Sequence, residues 1–403
     1  WRFTAATTCA LAASALIFWL LGAAGRLGVE PEVPLMVAIG LLITNTNLLV
    51  SIRCTLRGTY RLLAVAGAAN AVAAAATSIG IALGIRADAW ALFLGTSFGT
   101  LVGVAVARGV PRQVLMRRSG LSRAEKQRIL AFGAPTALTS LMYWVLGASD
   151  RWFIALLSNQ HELGVYSFAY NVGNLATLLN TAVSQAWLPE VFRSFDRDPN
   201  AARDAMADAW SRTFLVLAVA WLGVSASGGD VIRLLAAPAF HPGAEYVPWI
   251  AGGIFFYGLY LPASSGLMLR NGLRAAAGWW LAGAGLTLAL NYLLIRSMGA
   301  YGAAVSATLG FALISGGVLW SSQRRLHMPL PWAKMLAVGS ILLIAGLLTG
   351  RPWHPSPLVS LAWKLLPCAA ACGLAFRIAW PSAWGAAWLR LRELVAPGRD
   401  RRH

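Results

Sequence analysis

Apolar stretches as long as a lipid bilayer is thick recur along this chain at short intervals, and few folds can absorb such a pattern. A helix needs roughly 20 apolar residues to cross the hydrocarbon core. Twelve segments meet that measure, near residues 7–25, 35–52, 62–84, 88–107, 129–149, 163–187, 209–228, 246–269, 275–295, 301–320, 333–350 and 358–380. Inside lipid each backbone N–H and C=O must be satisfied internally, which a helix of this length does by itself. The pattern predicts an all-α integral membrane protein with about twelve transmembrane helices. Only 12% of the residues are charged, against about 25% in soluble domains, too few to solvate an ordinary surface.

The chain nevertheless carries a net charge of +18. In a soluble protein that would raise nucleic acid as a partner. Here the basic residues sit between the spans. Alternate connections, together with Arg2 and the tail from Arg377, hold about 26 of the 33 Lys and Arg residues. The positive-inside rule accounts for that bias, places those connections and both chain ends in the cytoplasm, and makes nucleic acid an unexpected partner. The expected location is the cytoplasmic membrane, crossed many times.

Two spans stand out because they carry polar residues on one face. Thr136, Ser140, Tyr143, Gly147 and Asp150 step at helical spacing, and so do Ser167, Tyr170, Asn171, Asn174, Thr177, Thr181 and Gln185. Polar residues inside lipid are costly and tend to mark a path or a site. Any one of them could serve only as a bond between helices; two adjacent stripes favour a hydrated cavity, with Tyr143, Trp144, Tyr166, Tyr170, Asn171, Asn174 and Gln185 as lining. Asp150 and Arg151, at the expected outer end of the first stripe, are candidates for a gate or an ion-coupling site. The alternative for them is an interfacial ion pair of under about 1 kcal/mol.

Cys9, Cys54, Cys368 and Cys372 all lie in or beside apolar segments, without the His or Cys partners of a zinc site. Neither a metal nor a cofactor is expected, and no HExxH or P-loop motif occurs.

Organisation follows from a repeat. Arg53, Arg57 and Arg108 recur as Arg270, Arg274 and Arg325 at one offset of 217 residues, as expected of two parallel halves related about the membrane normal. The reading is an N-terminal lobe of four helices over 1–108, a cytoplasmic linker over 109–128, a six-helix lobe over 129–325, and two appended helices with a basic tail over 326–403. In the linker, Ser122 and Glu125 have the spacing of a capping box. The repeat further implies two helices upstream of Trp1, so that the chain reads as a fragment.

Local patterns then resemble a known group. Phe132-Gly-Ala-Pro135, Ser149-Asp-Arg-Trp-Phe-Ile154, Leu163-Gly-Val-Tyr-Ser-Phe-Ala-Tyr170, Trp187-Leu-Pro-Glu-Val-Phe192 and Asn291-Tyr-Leu-Leu-Ile295 with Gly299-Ala-Tyr-Gly-Ala-Ala304 are similar to helix ends of the oligosaccharide flippases of the multidrug/oligosaccharidyl-lipid/polysaccharide exporter superfamily. The resemblance implies a fourteen-helix fold in two pseudo-symmetric lobes, here without its first two helices. It implies no enzyme, but a transporter that flips a polyprenyl-diphosphate-linked oligosaccharide by alternating access, for surface polysaccharides such as lipopolysaccharide. Its partners would be that substrate, membrane lipid, an ion gradient and other polysaccharide-assembly proteins.

A diphosphate calls for cations, and the planar fork of Arg suits phosphate oxygens. Arg53, Arg57, Arg270 and Arg274 ring the expected cytoplasmic mouth, although Arg at such helix ends is more often topological. Rival readings are a drug or ion antiporter of the same superfamily, a cell-wall precursor flippase, and a membrane glycosyltransferase, ligase or polymerase. The antiporter would want buried carboxylates inside spans, where none is expected. The enzymes would want a large outer loop, and the longest, Gly228 to Glu245, is short.

Overall fold

The computed structural model of the protein describes residues 32–56, 59–84, 89–107, 122–180, 199–270 and 272–380, and all regular structure among them is helical. The chain divides into two compact units, 1–123 and 124–403.

The first unit contains α1 (Glu32–Leu56), α2 (Tyr60–Gly84) and α3 (Ala89–Val106). Helices in lipid gain little from hydrophobic association and meet instead where small residues let backbones approach. Gly95, Gly99 and Gly103 clear one face of α3 for this purpose. A Cβ on Gly99 would lie 2.5 Å from the Asn70 carbonyl oxygen of α2, and one on Gly103 3.1 Å from that of Ala66. The opposite faces keep their apolar side chains outward; Leu83 is 85% exposed. Such a surface suits lipid, not water.

The second unit holds α4 (Arg123–Leu157), α5 (Gln160–Gly173), α6 (Pro199–Leu235), a 3-10 helix (Pro238–Glu245), α7 (Val247–Leu269), α8 (Leu273–Met298), α9 (Ala300–Arg325), α10 (Trp332–Thr349) and α11 (Pro357–Ala379). α7, α8 and α9 pack together around Trp280, Ile314 and Val318, and α6 joins them while carrying α10 and α11 on its other side through Leu215, Leu222, Leu342 and Ala371. Seven described helices, α2 and α6 to α11, are long and apolar enough to cross a membrane.

Several boundaries differ from expectation. Residues 123–128 of the expected linker are the start of α4, because Arg-Ala-Glu-Lys-Gln-Arg consists of good helix formers that run straight into the span. The stretch after Gly228 continues α6 to Leu235 and then forms the 3-10 helix, so it is not an open loop. The second polar span is broken: α5 stops at Gly173, Asn174 and Leu175 form a turn, and helix resumes at Ala176. There the Leu175 and Thr177 N–H groups bond to Val172 and Asn174 carbonyls, three residues back, which tightens the winding. The expected span 7–25 lies outside the described residues.

One connection is a single residue. Gly299 links α8 to α9 at φ 58, the left-handed region open mainly to glycine. The Glu162 carboxylate fills the space beside it: Oε2 accepts from the Ala300 N–H at 3.0 Å and from the Ser158 hydroxyl at 2.7 Å. Asn159 in turn caps α5 by accepting from the Glu162 N–H at 2.8 Å. Glu162 thereby fixes the start of α5 to the start of α9.

Candidate functional site

A cavity of about 320 Å³ opens in the second unit, lined by Tyr143, Trp144, Gly147, Ala148 and Arg151 of α4, Tyr170 and Asn174 of α5 and its turn, Thr177, Ile254 and Tyr257 of α7, and Phe311 of α9. The two polar stripes thus meet at one place. Of the candidate lining residues Tyr143, Trp144, Tyr170 and Asn174 lie in its wall, together with Arg151, and the turn that ends α5 contributes Asn174. The Thr177 hydroxyl donates to the Asn174 side-chain oxygen at 2.8 Å.

Other members of the stripes do not reach the cavity. The Ser140 hydroxyl donates back to the Thr136 carbonyl at 3.0 Å, so that part of the stripe is satisfied within its own helix. Asn171 is exposed and is not among the cavity-lining residues. Gln185 and Thr181 lie outside the described residues, as does Arg57. Arg53 lies in the last turn of α1 in the first unit. Arg270 caps α7 and Arg274 opens α8. Arg270 follows Tyr257 by 13 residues, which a rise of 1.5 Å per residue makes about 20 Å along the helix axis.

Arg151 supplies a cation to the cavity wall. Its Nη1 donates to the Gly147 carbonyl at 2.7 Å, and its guanidinium carbon lies 4.3 Å from the centre of the Tyr170 ring. That stacking holds the charge over an aromatic face while leaving 32% of the side chain exposed. Asp150, its neighbour, is 1% exposed. Asp150 Oδ2 accepts from the Tyr166 hydroxyl, and Oδ1 accepts from the Arg151 backbone N–H at 2.8 Å. The Arg151 guanidinium is 3.9 Å from Oδ1. Tyr166 is therefore a buried partner of Asp150, not a lining residue. The two residues do not sit at a helix end, since α4 continues to Leu157.

Sequence reasoning missed the far wall. Tyr257 stacks on Tyr143 with ring centres 4.7 Å apart, and Tyr260 meets Trp280 edge-on at 5.2 Å. Phe311 closes the group at 5.7 Å from Tyr257. A signal existed in Tyr257 and Tyr260, three residues apart in an otherwise apolar span. Behind α4, the Asn291 amide donates to the Ser149 hydroxyl at 3.4 Å.

The expectation that no span buries a carboxylate is overturned. Asp150 and Asp230 both lie within helices and are 1% and 0% exposed, so a lack of buried carboxylates no longer weighs against the drug or ion antiporter. Among the described residues no group of three or more His, Cys, Asp or Glu is placed to hold a metal ion. What the site offers is a stack of rings, amide and hydroxyl groups and one guanidinium, a surface suited to sugar faces and hydroxyls.

Comparison with known proteins places this geometry. Residues 3–240 match the model of the family described as polysaccharide biosynthesis protein. A probable low-salt glycan biosynthesis flippase of Haloferax volcanii is 23% identical over 165 residues, which is 41% of this chain and 35% of the relative. The aligned part thus spans about a third of that relative's length. The solved structure of the lipid II flippase MurJ in an inward closed conformation superposes with a TM-score of 0.68 at 12% identity, over 93% of this chain and 83% of that one. At that identity the likeness is one of fold: an all-α membrane architecture. The resemblance seen in the helix-end patterns is borne out, and the chain belongs to the polysaccharide biosynthesis protein family.

Proposed function

We propose that this protein is a transporter that flips a polyprenyl-diphosphate-linked oligosaccharide across the cytoplasmic membrane, and that the cavity between α4, α5, α7 and α9 receives its glycan. The observation that carries this reading is the aromatic wall of Tyr143, Tyr257 and Tyr170 with the Arg151 guanidinium set over it, inside a bundle of apolar helices. A glycan cannot enter hydrocarbon unaided, because each unpaired hydroxyl costs several kcal/mol. Ring faces and amides in a cavity at membrane depth remove that barrier. Family membership and the glycan flippase relative support the same class.

In this reading the lobes alternate in access, a shift between pre-existing states biased by the substrate. Arg53, Arg57, Arg270 and Arg274 receive the diphosphate at the cytoplasmic mouth. The buried Asp150 beside Arg151 supports coupling to an ion gradient, since a buried carboxylate bonded to the Tyr166 hydroxyl can change partners as the helices move. Polysaccharide-assembly proteins that make and use the lipid-linked glycan are the expected partners. The division into lobes, linker and appended pair is part of the same proposal, with α4 beginning at Arg123 inside the expected linker.

The test is to follow glycan-bearing lipid by leaflet in a deletion strain. Accumulation on the inner leaflet, relieved by the intact gene, is expected. Normal flipping with failed glycan polymerisation or ligation would instead support a membrane enzyme and overturn the transporter.

A further inference from the structure

The face of α6 turned away from the cavity carries a second buried polar cluster. Asp230, 0% exposed on α6, accepts at Oδ2 from Lys364 Nζ at 2.6 Å and from the Ser360 hydroxyl at 3.1 Å, both on α11. Lys364 is itself 3% exposed and also donates to the Ala226 carbonyl at 2.9 Å. Ser360 accepts in turn from the Trp353 backbone N–H at 3.0 Å. One carboxylate oxygen therefore ties together α6, the first two turns of α11 and the connection between α10 and α11. Asp230 Oδ1 makes no hydrogen bond.

Toward α10 the Trp221 and Phe214 rings of α6 lie against Gly346 and Gly339, whereas the buried contact between α6 and α11 offers less to fix its register. Leu215, Ala218, Leu222, Ala371 and Ala375 form a run of small and aliphatic side chains. In lipid such a surface has no strong preference for one axial or rotational setting, because the tails are as apolar as the helix. A buried ion pair does have one: each charge left without its partner would meet a large desolvation cost. The best-attested use of such a pair is to select one register among otherwise similar packings.

We propose that Asp230, Lys364 and Ser360 form a buried latch that docks α11 on α6 in one register and holds the segment that connects α10 to α11 at Trp353. The pair positions these helices and takes no part in contact with the cavity residues.

The test uses the full chain in lipid nanodiscs, with its four cysteines replaced by alanine and spin labels at Leu235 and Leu374, which are 71% and 47% exposed. Distances are measured well below each variant's unfolding transition. The wild-type residues should give one narrow distribution. The D230N and K364M variants should broaden it or add a second distance. D230L/K364M, which leaves no buried charge and keeps the volume, should still show more than one distance. A single narrow distribution at the wild-type separation in D230L/K364M would overturn the latch, since apolar packing alone would then set the register. S360A keeps both charges and is the milder probe. With labels at Arg351 and Leu235 it should broaden the distribution, and an unchanged one would remove Ser360 and the connecting segment from the device.

Discussion

The hydroxyl of Tyr166 donates to the carboxylate of Asp150 on the neighbouring helix, and both side chains are shut off from the surface, at 0% and 1% exposure. The bond joins α4 to α5 directly behind the cavity, so the position of Arg151 depends on it. Tyr166→Phe leaves Asp150 Oδ2 without this donor. Loss of one partner from a buried polar group costs about 1–3 kcal/mol, more when that group is charged. The expected outcome is a lower thermal midpoint in detergent. Adding Asp150→Asn should cost less than the two single changes summed, because residues in one network are not independent.

Arg151 and Tyr170 form the second coupled pair. A cation stacked on a ring contributes about 0.5–2 kcal/mol, which corresponds to a several-fold change in binding. Arg151→Gln and Tyr170→Leu should each weaken transport of the lipid-linked glycan several-fold at unchanged expression. The double variant should be little worse than either one. Fully additive losses in a leaflet assay would show that the two residues act separately.

Much of this arrangement could be read from the chain, and the reasons for the omissions are physical. Period and length located α7, α8, α9, α10 and α11 to within a few residues, because lipid demands long uninterrupted helices. The stripe through Tyr143, Gly147, Tyr170 and Asn174 found one wall of the cavity, since polar residues in apolar spans stand out. Phe311 did not, being an apolar ring in an apolar span, and Tyr257 had only Tyr260 to mark it. Asp230 and Lys364 lie far apart in the chain. Their pairing spans 134 residues, and nothing in a single sequence brings such positions together. The break at Asn174 was equally hidden, as it interrupts an otherwise regular polar stripe.

The arginines bear on the substrate headgroup. If the proposed flippase recognises a diphosphate, replacing Arg53 and Arg270 together with Gln should abolish transport while leaving membrane insertion and expression intact. Guanidinium groups bind phosphate oxygens in pairs, so Lys at both positions should recover only part of the activity. Unaffected export in the double Gln variant would remove these residues from the phosphate site and leave them a topological role.

Gly99 gives a test of assembly that is independent of transport. A side chain there has nowhere to go: its Cβ would stand 2.5 Å from the Asn70 carbonyl oxygen and 2.7 Å from the Ala74 backbone nitrogen. Both neighbours are backbone, so α2 and α3 must separate to admit even a methyl group, and small-residue contacts of this kind hold helices together in lipid. Gly99→Leu should lower the yield of folded protein in detergent and loosen the α2–α3 contact. Gly67→Leu, where no atom lies within 4 Å of the added Cβ, should be tolerated. Cysteines placed at Asn70 and Gly103, whose added Cβ would lie 3.1 Å from the Asn70 Cβ, should cross-link readily in the parent chain and poorly beside Gly99→Leu. Equal cross-linking in both would mean that this glycine face does not set the approach of the two helices.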